Sequence, residues 1–212
     1  MQLINRPLYL VTDSLTYSQT AFLTQIEAAC RGGVDIVQLR EKQLSSRDYY
    51  QRALAVKVIT DRFEVSLIID DRLDIAQAVN AAGVHLGQQD LSVAIARKIL
   101  GPDKLIGATT KSVEQALEAA QQGADYLGVG AIFPTTTHVK TVHTSVETLT
   151  AIKKAVRVPV YAIGGLNAQN VSVIQPAQVD GVAVVSAIMK ADDPLLAAQQ
   201  LRAKIVAVTA KK

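Results

Sequence analysis

Short apolar segments alternate with longer helix-like segments along almost the whole chain of 212 residues. The apolar segments have the length of strands, and the segments between them place apolar residues at helical spacing, often just after Ser, Asp or Asn. We predict strands at 8–12, 35–39, 66–70, 83–86, 105–108, 126–129, 158–163 and 181–185. We predict helices at 18–31, 46–62, 72–81, 92–100, 113–122, 145–156, 167–175 and 193–208.

Eight strand-helix pairs leave few architectures open. Strict alternation is typical of a parallel sheet, because parallel strands need helical crossovers that cover the sheet. Eight pairs in a chain of this length favour closure into a (β/α)8 TIM barrel, an α/β fold, and an open doubly wound sheet is the alternative. No linker-like tract interrupts the pattern, so we expect one domain over residues 1–212.

The composition restricts both the core and the partners. Hydrophobic residues make up 49% of the chain and aromatic residues 4%, which predicts a core built mainly from Ala, Val, Ile and Leu. The 22 basic and 19 acidic side chains are scattered, which argues against a nucleic-acid partner and leaves anionic small molecules as ligands. Lone Cys30 is interpreted as a buried thiol.

Apolar runs stay far below the ~20 residues of a membrane span, and the N-terminus does not resemble a signal peptide. We therefore expect a cytoplasmic protein without a membrane partner. The sequence does not decide whether it forms a homo-oligomer.

Polar side chains follow the predicted strands, at the end of the barrel where such folds place their chemistry. They are Gln38, Arg40 and Lys42 after the second strand, Asp70 and Asp71 at the third, Asp90 after the fourth, Thr109 and Lys111 after the fifth, Gly164 and Gly165 after the seventh, and Ser186 after the eighth.

Asp71 and Asp90 follow neighbouring strands, so their carboxylates can share one hard divalent cation. Mg2+ uses one or two carboxylates and takes phosphate oxygens among its remaining ligands. The alternative is that each aspartate caps the helix that follows it. Asp74 is interpreted as a structural partner of a neighbouring arginine.

Two features indicate phosphate binding. Arg40 and Lys42 are two residues apart and can point to the same side, where they would meet phosphate oxygens, although a solvated charged face would look the same. Gly164 and Gly165 precede a predicted helix start at Asn167, and the segment 185–187 follows the eighth strand. The loops after the seventh and eighth strands are a frequent phosphate site in this fold.

The segment 128–140, GVGAIFPTTTHVK, follows the sixth predicted strand and combines three hydroxyls with an imidazole and a lysine. Thr135 and Thr137 offer hydroxyls, and His138 and Lys140 offer polar or cationic groups. Facing two carboxylates, such a loop suits a metal-bound pyrophosphate. An ordinary polar turn is the alternative.

The motifs LYLVTD (8–13), GGVDIVQLREK (32–42), IIDDRLDIA (68–76), GVHLGQQDL (83–91), GADYLGVGAIFPTTT (123–137), AIGGLNAQNV (162–171) and DGVAVVSAI (180–188) occur in this order. Together they resemble the thiamine-phosphate synthase family. The resemblance implies a TIM barrel that joins 4-amino-5-hydroxymethyl-2-methylpyrimidine diphosphate to 4-methyl-5-(2-phosphoethyl)thiazole. It also implies thiamine phosphate and pyrophosphate as products and Mg2+ as the cofactor.

The resemblance also implies roles for particular residues. Gln38, Arg40 and Lys42 match contacts to the pyrimidine diphosphate, Asp71 and Asp90 match metal ligands, and Gly165, Val185 and Ser186 match the thiazole phosphate pocket. Thr135 and Thr137 match hydroxyl contacts. We expect the catalytic work from Arg40, Lys42, Thr135, Thr137 and His138, with Asp70, Thr109 and Lys140 as further substrate contacts.

Four residues at three places in the chain depart from the family pattern. Asp70 stands where the family generally has Asn, and His138 stands where it has Lys, a charge that we hypothesise Lys140 supplies in part. Thr109 and Lys111 stand where the family commonly has a serine and a histidine. The alternatives are a thiazole tautomerase of the same family and a barrel that binds phosphate ligands without turnover. His85, inside the fourth strand, is interpreted as a core histidine.

Overall fold

Each predicted apolar segment forms a strand, and the eight strands close into a parallel barrel in chain order. The protein is described by a computed structural model over residues 6–134 and 143–209. The strands are β1 Leu8–Val11, β2 Ile36–Leu39, β3 Ser66–Asp70, β4 Gly83–Leu86, β5 Leu105–Thr110, β6 Tyr126–Val129, β7 Val160–Ile163 and β8 Gly181–Val184. The barrel closes where β1 pairs with β8, with Leu8 opposite Val182. The predicted (β/α)8 barrel is confirmed.

Helices surround the barrel, and five of them begin after a serine whose hydroxyl accepts a backbone N–H three residues on, as N-cap residues do. The α-helices are α1 Gln19–Arg31, α2 Ser46–Arg62, α3 Leu73–Ala78, α4 Val93–Leu100, α5 Val113–Gln121, α6 Val146–Ala155, α7 Ser186–Met189 and α8 Pro194–Thr209. Among the described residues, none of these helices is both long and apolar enough to cross a membrane.

The helix predicted at 167–175 is wrong. The chain there forms a 3-10 helix, Val171–Ala177, that starts four residues later. The Asn167 side chain accepts the backbone N–H groups of Gln169 and Asn170, which competes with helical hydrogen bonding. Pro176 also removes a donor near the other end. The short helix α7 was not predicted, and α3 ends at Ala78 instead of 81.

The core has two parts. One packs the outer faces of the strands against the helices and consists mostly of Leu, Ile, Val and Ala, as the composition predicts. The other fills the barrel interior and contains Tyr9, Val11, Ile36, Ile68, Leu105, Tyr126, Tyr161 and Ala183. Three tyrosines in this smaller cluster contact one another with ring centroids 5.5–5.9 Å apart. An interior so rich in tyrosine was not predicted.

Three aspartates tie together the end of the barrel opposite the predicted site. Each precedes a strand, accepts a backbone N–H near the start of the preceding strand at 2.7–2.9 Å, and pairs with a cation from an outer helix. The three sets are Asp35 with Leu8 and Arg202, Asp125 with Ile106 and Arg97, and Asp180 with Val160 and Lys153. These contacts link adjacent strands to the helical layer and so stabilise barrel closure.

Replacing Asp125 by Ala should lower the free energy of unfolding by about 1.5–3 kcal/mol, because it removes the carboxylate that pairs with Arg97 and accepts the backbone N–H of Ile106. Urea denaturation measures the change. The exposed Asp192 offers a matched control, and Asp192→Ala should change stability by no more than about 0.5 kcal/mol. Equal effects of the two substitutions would contradict the role of Asp125.

Candidate active site

Four polar side chains reach the barrel interior above its apolar layer. Gln38 and Asp70 lie two residues beyond the interior residues Ile36 and Ile68, and successive side chains of a strand alternate between faces. His85 of β4 and Thr109 of β5 complete the set, since their side chains meet above the same layer. The strand period therefore places Gln38, Asp70 and Thr109, which the sequence analysis selected separately, at one mouth.

Arg40 and Lys42 face the same side, as their spacing predicts. Arg40 Nε lies 3.7 Å from Asp70 Oδ2, and Lys42 Nζ lies 2.8 Å from the same oxygen. Lys42 also contacts Asp71. Glu41, between them, points the other way and pairs with Arg52 at 3.0 Å. The barrel mouth thus holds two cations close to two carboxylates.

The charges of the mouth shift one another's ionisation. Burial raises the pKa of Asp70 to about 6, the charge of Asp71 adds to the rise, and Lys42 and Arg40 oppose it. Partial burial disfavours the charged form of Lys42, but Asp70 and Asp71 outweigh it and raise the pKa of the ammonium. Lys42 therefore stays protonated at neutral pH.

Replacing Asp70 by Asn should stabilise the protein at about pH 8 by up to roughly 3 kcal/mol, the equivalent of the pKa rise from 3.8 to about 6. The folded protein retains the Asp70 proton over a pH range in which the unfolded chain has lost it. The stability of the parent protein therefore falls as the pH rises from 3.8 to about 6 and then levels off. Asn does not titrate, so the stability of the Asp70→Asn protein should not fall in this way. The difference in the free energy of unfolding between the two proteins should therefore grow over the same pH range.

Urea unfolding of both proteins with a chelator present, from about pH 4 to about pH 8, measures this difference. A constant difference at every pH would contradict the raised pKa of Asp70.

Asp71 and Asp90 come together after β3 and β4. Asp90 Oδ2 accepts the backbone N–H of Gly87 at 2.7 Å, which closes the loop after β4. The pKa of Asp90 is raised by burial first, and then by a hydrogen bond and charge repulsion from Asp71. Asp71 has a φ of 61°, a left-handed conformation that Asp tolerates better than most residues.

The capping alternative for these aspartates is wrong. The N-cap residue of α3 is Arg72, and the N-cap of α4 is Ser92, whose hydroxyl accepts the N–H of Ile95. Asp74 pairs with Arg72, as predicted. Neither Asp71 nor Asp90 is therefore explained by helix capping.

The carboxylate pair fits a divalent cation. Two carboxylates that repel each other at a half-open mouth form an oxygen donor set of the kind that Mg2+ uses. Among the described residues, no group of three or more His, Cys, Asp and Glu side chains is arranged to hold a metal ion, so the remaining ligands would come from water and substrate phosphate.

A chain of hydrogen bonds crosses the barrel interior below the mouth. Gln38 Nε2 lies 2.8 Å from Tyr9 Oη, which lies 2.8 Å from Tyr126 Oη. Tyr126 Oη lies 3.2 Å from His85 Nδ1, and His85 Nε2 lies 2.9 Å from Thr109 Oγ1. Burial lowers the pKa of His85 to about 4, so the imidazole is neutral at neutral pH. His85 is buried as predicted, but among polar partners.

The sequence analysis missed Tyr9 and Tyr126. Two strand glycines are the signal that could have indicated them. A Cβ on Gly107 would lie 2.4 Å from Tyr126 Oη and 2.5 Å from His85 Nδ1, and a Cβ on Gly128 would lie 3.1 Å from the His85 ring. Glycine inside a strand often marks such a close approach. Here Gly107 and Gly128 leave space for the Tyr126 and His85 rings.

The residues predicted for a second phosphate follow the adjacent strands β7 and β8. Gly165 has a φ of 64°, and a Cβ there would lie 2.7 Å from Phe133 Cβ, so glycine suits both the conformation and the space. Val185 packs at the edge of the interior cluster, and Ser186 is exposed at the start of α7. The predicted helix N-terminus at Asn167 is absent from this described loop, because the 3-10 helix begins at Val171.

Four predicted site residues, Thr135, Thr137, His138 and Lys140, lie outside the described residues. Their roles stay predictions. The described part of the same loop reaches Pro134, and Phe133 N donates to Gly164 O at 3.0 Å. The loop after β6 therefore begins directly beside the loop after β7.

Comparisons with known proteins identify the family of this chain. Residues 8–188 match the model of a family described as thiamine monophosphate synthase. Thiamine-phosphate synthase 2 of Streptococcus pneumoniae serotype 4 is 53% identical over 186 residues, which cover 88% of this chain and 89% of that protein. Thiamine-phosphate synthase of Lacticaseibacillus paracasei is 51% identical over 201 residues, which cover 95% and 94%.

A solved structure of thiamine phosphate pyrophosphorylase from Pyrococcus furiosus superposes with a TM-score of 0.87 at 36% identity, covering 97% of this chain and 98% of that one. Both the fold and the sequence thus match across nearly the full length, and the resemblance found in the sequence motifs is confirmed. The chain belongs to the thiamine monophosphate synthase family.

Proposed function

We propose that this protein is a thiamine-phosphate synthase that joins 4-amino-5-hydroxymethyl-2-methylpyrimidine diphosphate to 4-methyl-5-(2-phosphoethyl)thiazole. The observation that carries the proposal is the convergence of Arg40 and Lys42 with Asp71 and Asp90 at one barrel mouth. A diphosphate needs cations and a metal site side by side, and relatives of about 50% identity bear this enzyme's name.

Arg40 and Lys42 bind the diphosphate oxygens. Arg40 can present a planar fork to them, and Lys42 acts as a point charge. Both cations contact Asp70, so they are already oriented towards the mouth. Substrate binding then exchanges carboxylate oxygens for phosphate oxygens with little movement of either side chain.

Asp71 and Asp90 would hold Mg2+. Bound there, Mg2+ neutralises part of the diphosphate charge and so makes the diphosphate a better leaving group. Lys42 contacts Asp71, so an ion held by the two carboxylates would act at the same mouth as Lys42 and Arg40.

The reaction needs neither a protein nucleophile nor a strong base. The bond from the pyrimidine methylene to the diphosphate oxygen breaks, and its electron pair leaves with the diphosphate. The thiazole nitrogen then supplies the electron pair of the new carbon-nitrogen bond. Arg40 and Lys42 stabilise the charge that develops on the departing oxygen, and the barrel aligns the two substrates.

The other predicted residues recognise the organic parts of the substrates. Gln38, Asp70 and Thr109 line the mouth where the pyrimidine would lie, and Asp70 can accept a hydrogen bond from the pyrimidine amino group in place of the family's Asn. Gly165, Val185 and Ser186 would hold the thiazole phosphate after β7 and β8. Thr135, Thr137, His138 and Lys140 are proposed to close over the pyrophosphate.

A coupled assay with both substrates over a range of Mg2+ concentrations tests the proposal. Thiamine phosphate and pyrophosphate should form in equal amounts, and a chelator should abolish both. Isomerisation of the thiazole precursor without joining would assign a thiazole tautomerase instead. Tight binding of both substrates with no product at any Mg2+ concentration would leave only a binding function.

A further inference from the structure

We propose that Tyr9, Tyr126 and His85 form a directed hydrogen-bond chain that makes Gln38 an acceptor and Thr109 a donor towards the bound pyrimidine. The three residues are positioning residues, because they act through Gln38 and Thr109. The identity of the ligand rests on the proposed function, whereas the hydrogen-bond chain is observed within the protein itself.

Counting protons gives the chain its direction. Tyr9 Oη accepts the N–H of Gln38 Nε2, so its only proton goes to its other partner, Tyr126 Oη. Tyr126 then uses its own proton towards His85 Nδ1. A neutral imidazole with an acceptor Nδ1 carries its proton on Nε2.

The last hydrogen bond, between His85 and Thr109, leaves a donor group available at the mouth. His85 Nε2–H donates to Thr109 Oγ1, so the Thr109 hydroxyl proton is left for a ligand. At the other end, Gln38 uses its amide N–H inside the barrel and keeps its carbonyl oxygen for the mouth. The mouth therefore offers one acceptor and one donor.

Exchanging donor and acceptor in one of these hydrogen bonds exchanges them in all of the others. If the Gln38 amide turned over, Tyr9 would donate to Gln38, Tyr126 to Tyr9, His85 Nδ1–H to Tyr126, and Thr109 to His85. Gln38 would then offer a donor and Thr109 an acceptor. A ligand that donates a hydrogen bond to the Gln38 side-chain oxygen thus also favours the arrangement in which the Thr109 hydroxyl is a donor. A 4-aminopyrimidine edge, with an amino donor beside a ring-nitrogen acceptor, matches the state in the structure.

Burial stabilises this arrangement of hydrogen-bond donors and acceptors. Gln38, Tyr9, Tyr126 and His85 are at most 9% exposed, so water competes little for their hydrogen bonds. Burial also raises the pKa of both tyrosines and lowers that of His85, so every link is neutral and has a defined number of protons. Gly107 and Gly128 leave the space in which the rings meet.

Tyr161 offers a matched control. It packs edge-on against Tyr9 and Tyr126 and is equally buried, but its hydroxyl donates to the backbone oxygen of Arg6 at 3.0 Å, outside the chain. Tyr126→Phe and Tyr161→Phe therefore each remove one buried hydroxyl from the same ring cluster. Only the first interrupts the path from Gln38 to Thr109.

The first measurement is the His85 tautomer by nitrogen NMR of histidine-labelled protein, with the His85 signal identified by its loss in His85→Gln. With 4-amino-5-hydroxymethyl-2-methylpyrimidine bound, His85 should be neutral with its proton on Nε2. Tyr126→Phe should shift the Nδ1 signal, and Tyr161→Phe should not. A proton on Nδ1, or a charged ring, in the parent complex would overturn the proposal even if Tyr126→Phe did not fold.

The second measurement is a double-mutant cycle between Gln38→Leu and Thr109→Val, read as the dissociation constant of the same pyrimidine. The two substitutions should be coupled by about tenfold in the parent and in Tyr161→Phe, and additive within about twofold in Tyr126→Phe. Coupling that survives in Tyr126→Phe would overturn the proposal. A parent protein that couples Gln38 to Thr109 but makes no thiamine phosphate would instead contradict the proposed function alone.

Discussion

Asp71→Asn should lower kcat by about 100-fold or more and change the dissociation constant of the thiazole phosphate by less than about threefold. The substitution removes one of two carboxylates that would hold Mg2+ beside the leaving group, and the thiazole phosphate is expected at the far side of the mouth. Asn suits the test because it tolerates the left-handed backbone at this position, φ 61°, better than Ala does. Steady-state kinetics and calorimetry measure the two effects.

Asp74→Asn is the matched control for Asp71. Asp74 lies three residues further on, pairs with Arg72 on the surface and does not contact the mouth, so turnover should stay within about twofold of the parent. Losses of turnover and thiazole phosphate binding that are equal in Asp71→Asn would contradict the metal role.

Lys42→Met should lower kcat/KM for the pyrimidine diphosphate by about 100- to 1,000-fold, the usual effect of removing one group that stabilises a developing charge. Methionine retains much of the length and apolar stem of lysine without its charge. The chain should still fold, although Asp70 loses its nearest cation, which lies at 2.8 Å. Substrate-dependent initial rates with pyrophosphate detection give the value.

Lys57→Met is the comparison for Lys42, because Lys57 on α2 pairs only with Asp61 four residues on among the described salt bridges. Its kcat/KM should match the parent. If Lys42→Met retained more than about a third of the parent kcat/KM, the leaving-group role of Lys42 would be wrong.

The barrel could be predicted because its signal is periodic and local. Buried parallel strands are continuous apolar segments, and five of the helices start after a capping serine, so the eight strand-helix pairs can be recognised in the sequence. The site followed from topology, since residues after successive strands must share one end of the barrel. Arg40, Lys42, Asp71 and Asp90 were selected in this way as candidates, and in the structure they lie at one barrel mouth.

The features that were not predicted depend on side chains that compete for backbone hydrogen bonds, or on contacts between residues far apart in the sequence. At 167–175 the sequence pattern predicts an α-helix. The Asn167 side chain accepts backbone N–H groups and Pro176 lacks one, so the chain forms a 3-10 helix instead. Tyr9 and Tyr126 are 117 residues apart, and each looks like an ordinary apolar strand residue. Only the closed barrel brings their hydroxyls to 2.8 Å. The sequence marks this close approach only indirectly, through the strand glycines Gly107 and Gly128.

Asp70 shows how a departure from a family pattern can be absorbed. A carboxylate in place of an amide cannot donate a hydrogen bond, but here it lies 2.8 Å from Lys42 and 3.7 Å from Arg40. It keeps both cations at the mouth before substrate binds. The raised pKa of Asp70 is the cost of holding that carboxylate in a buried position.

We propose that one mouth binds the metal through Asp71 and Asp90 and the diphosphate through Arg40 and Lys42. A crystal structure with Mg2+, thiamine phosphate and pyrophosphate tests this arrangement. We expect a cation about 2.1 Å from one oxygen of each aspartate, with Lys42 moved from Asp71 onto the pyrophosphate. Pyrophosphate bound elsewhere, with Lys42 still on Asp71, would contradict it.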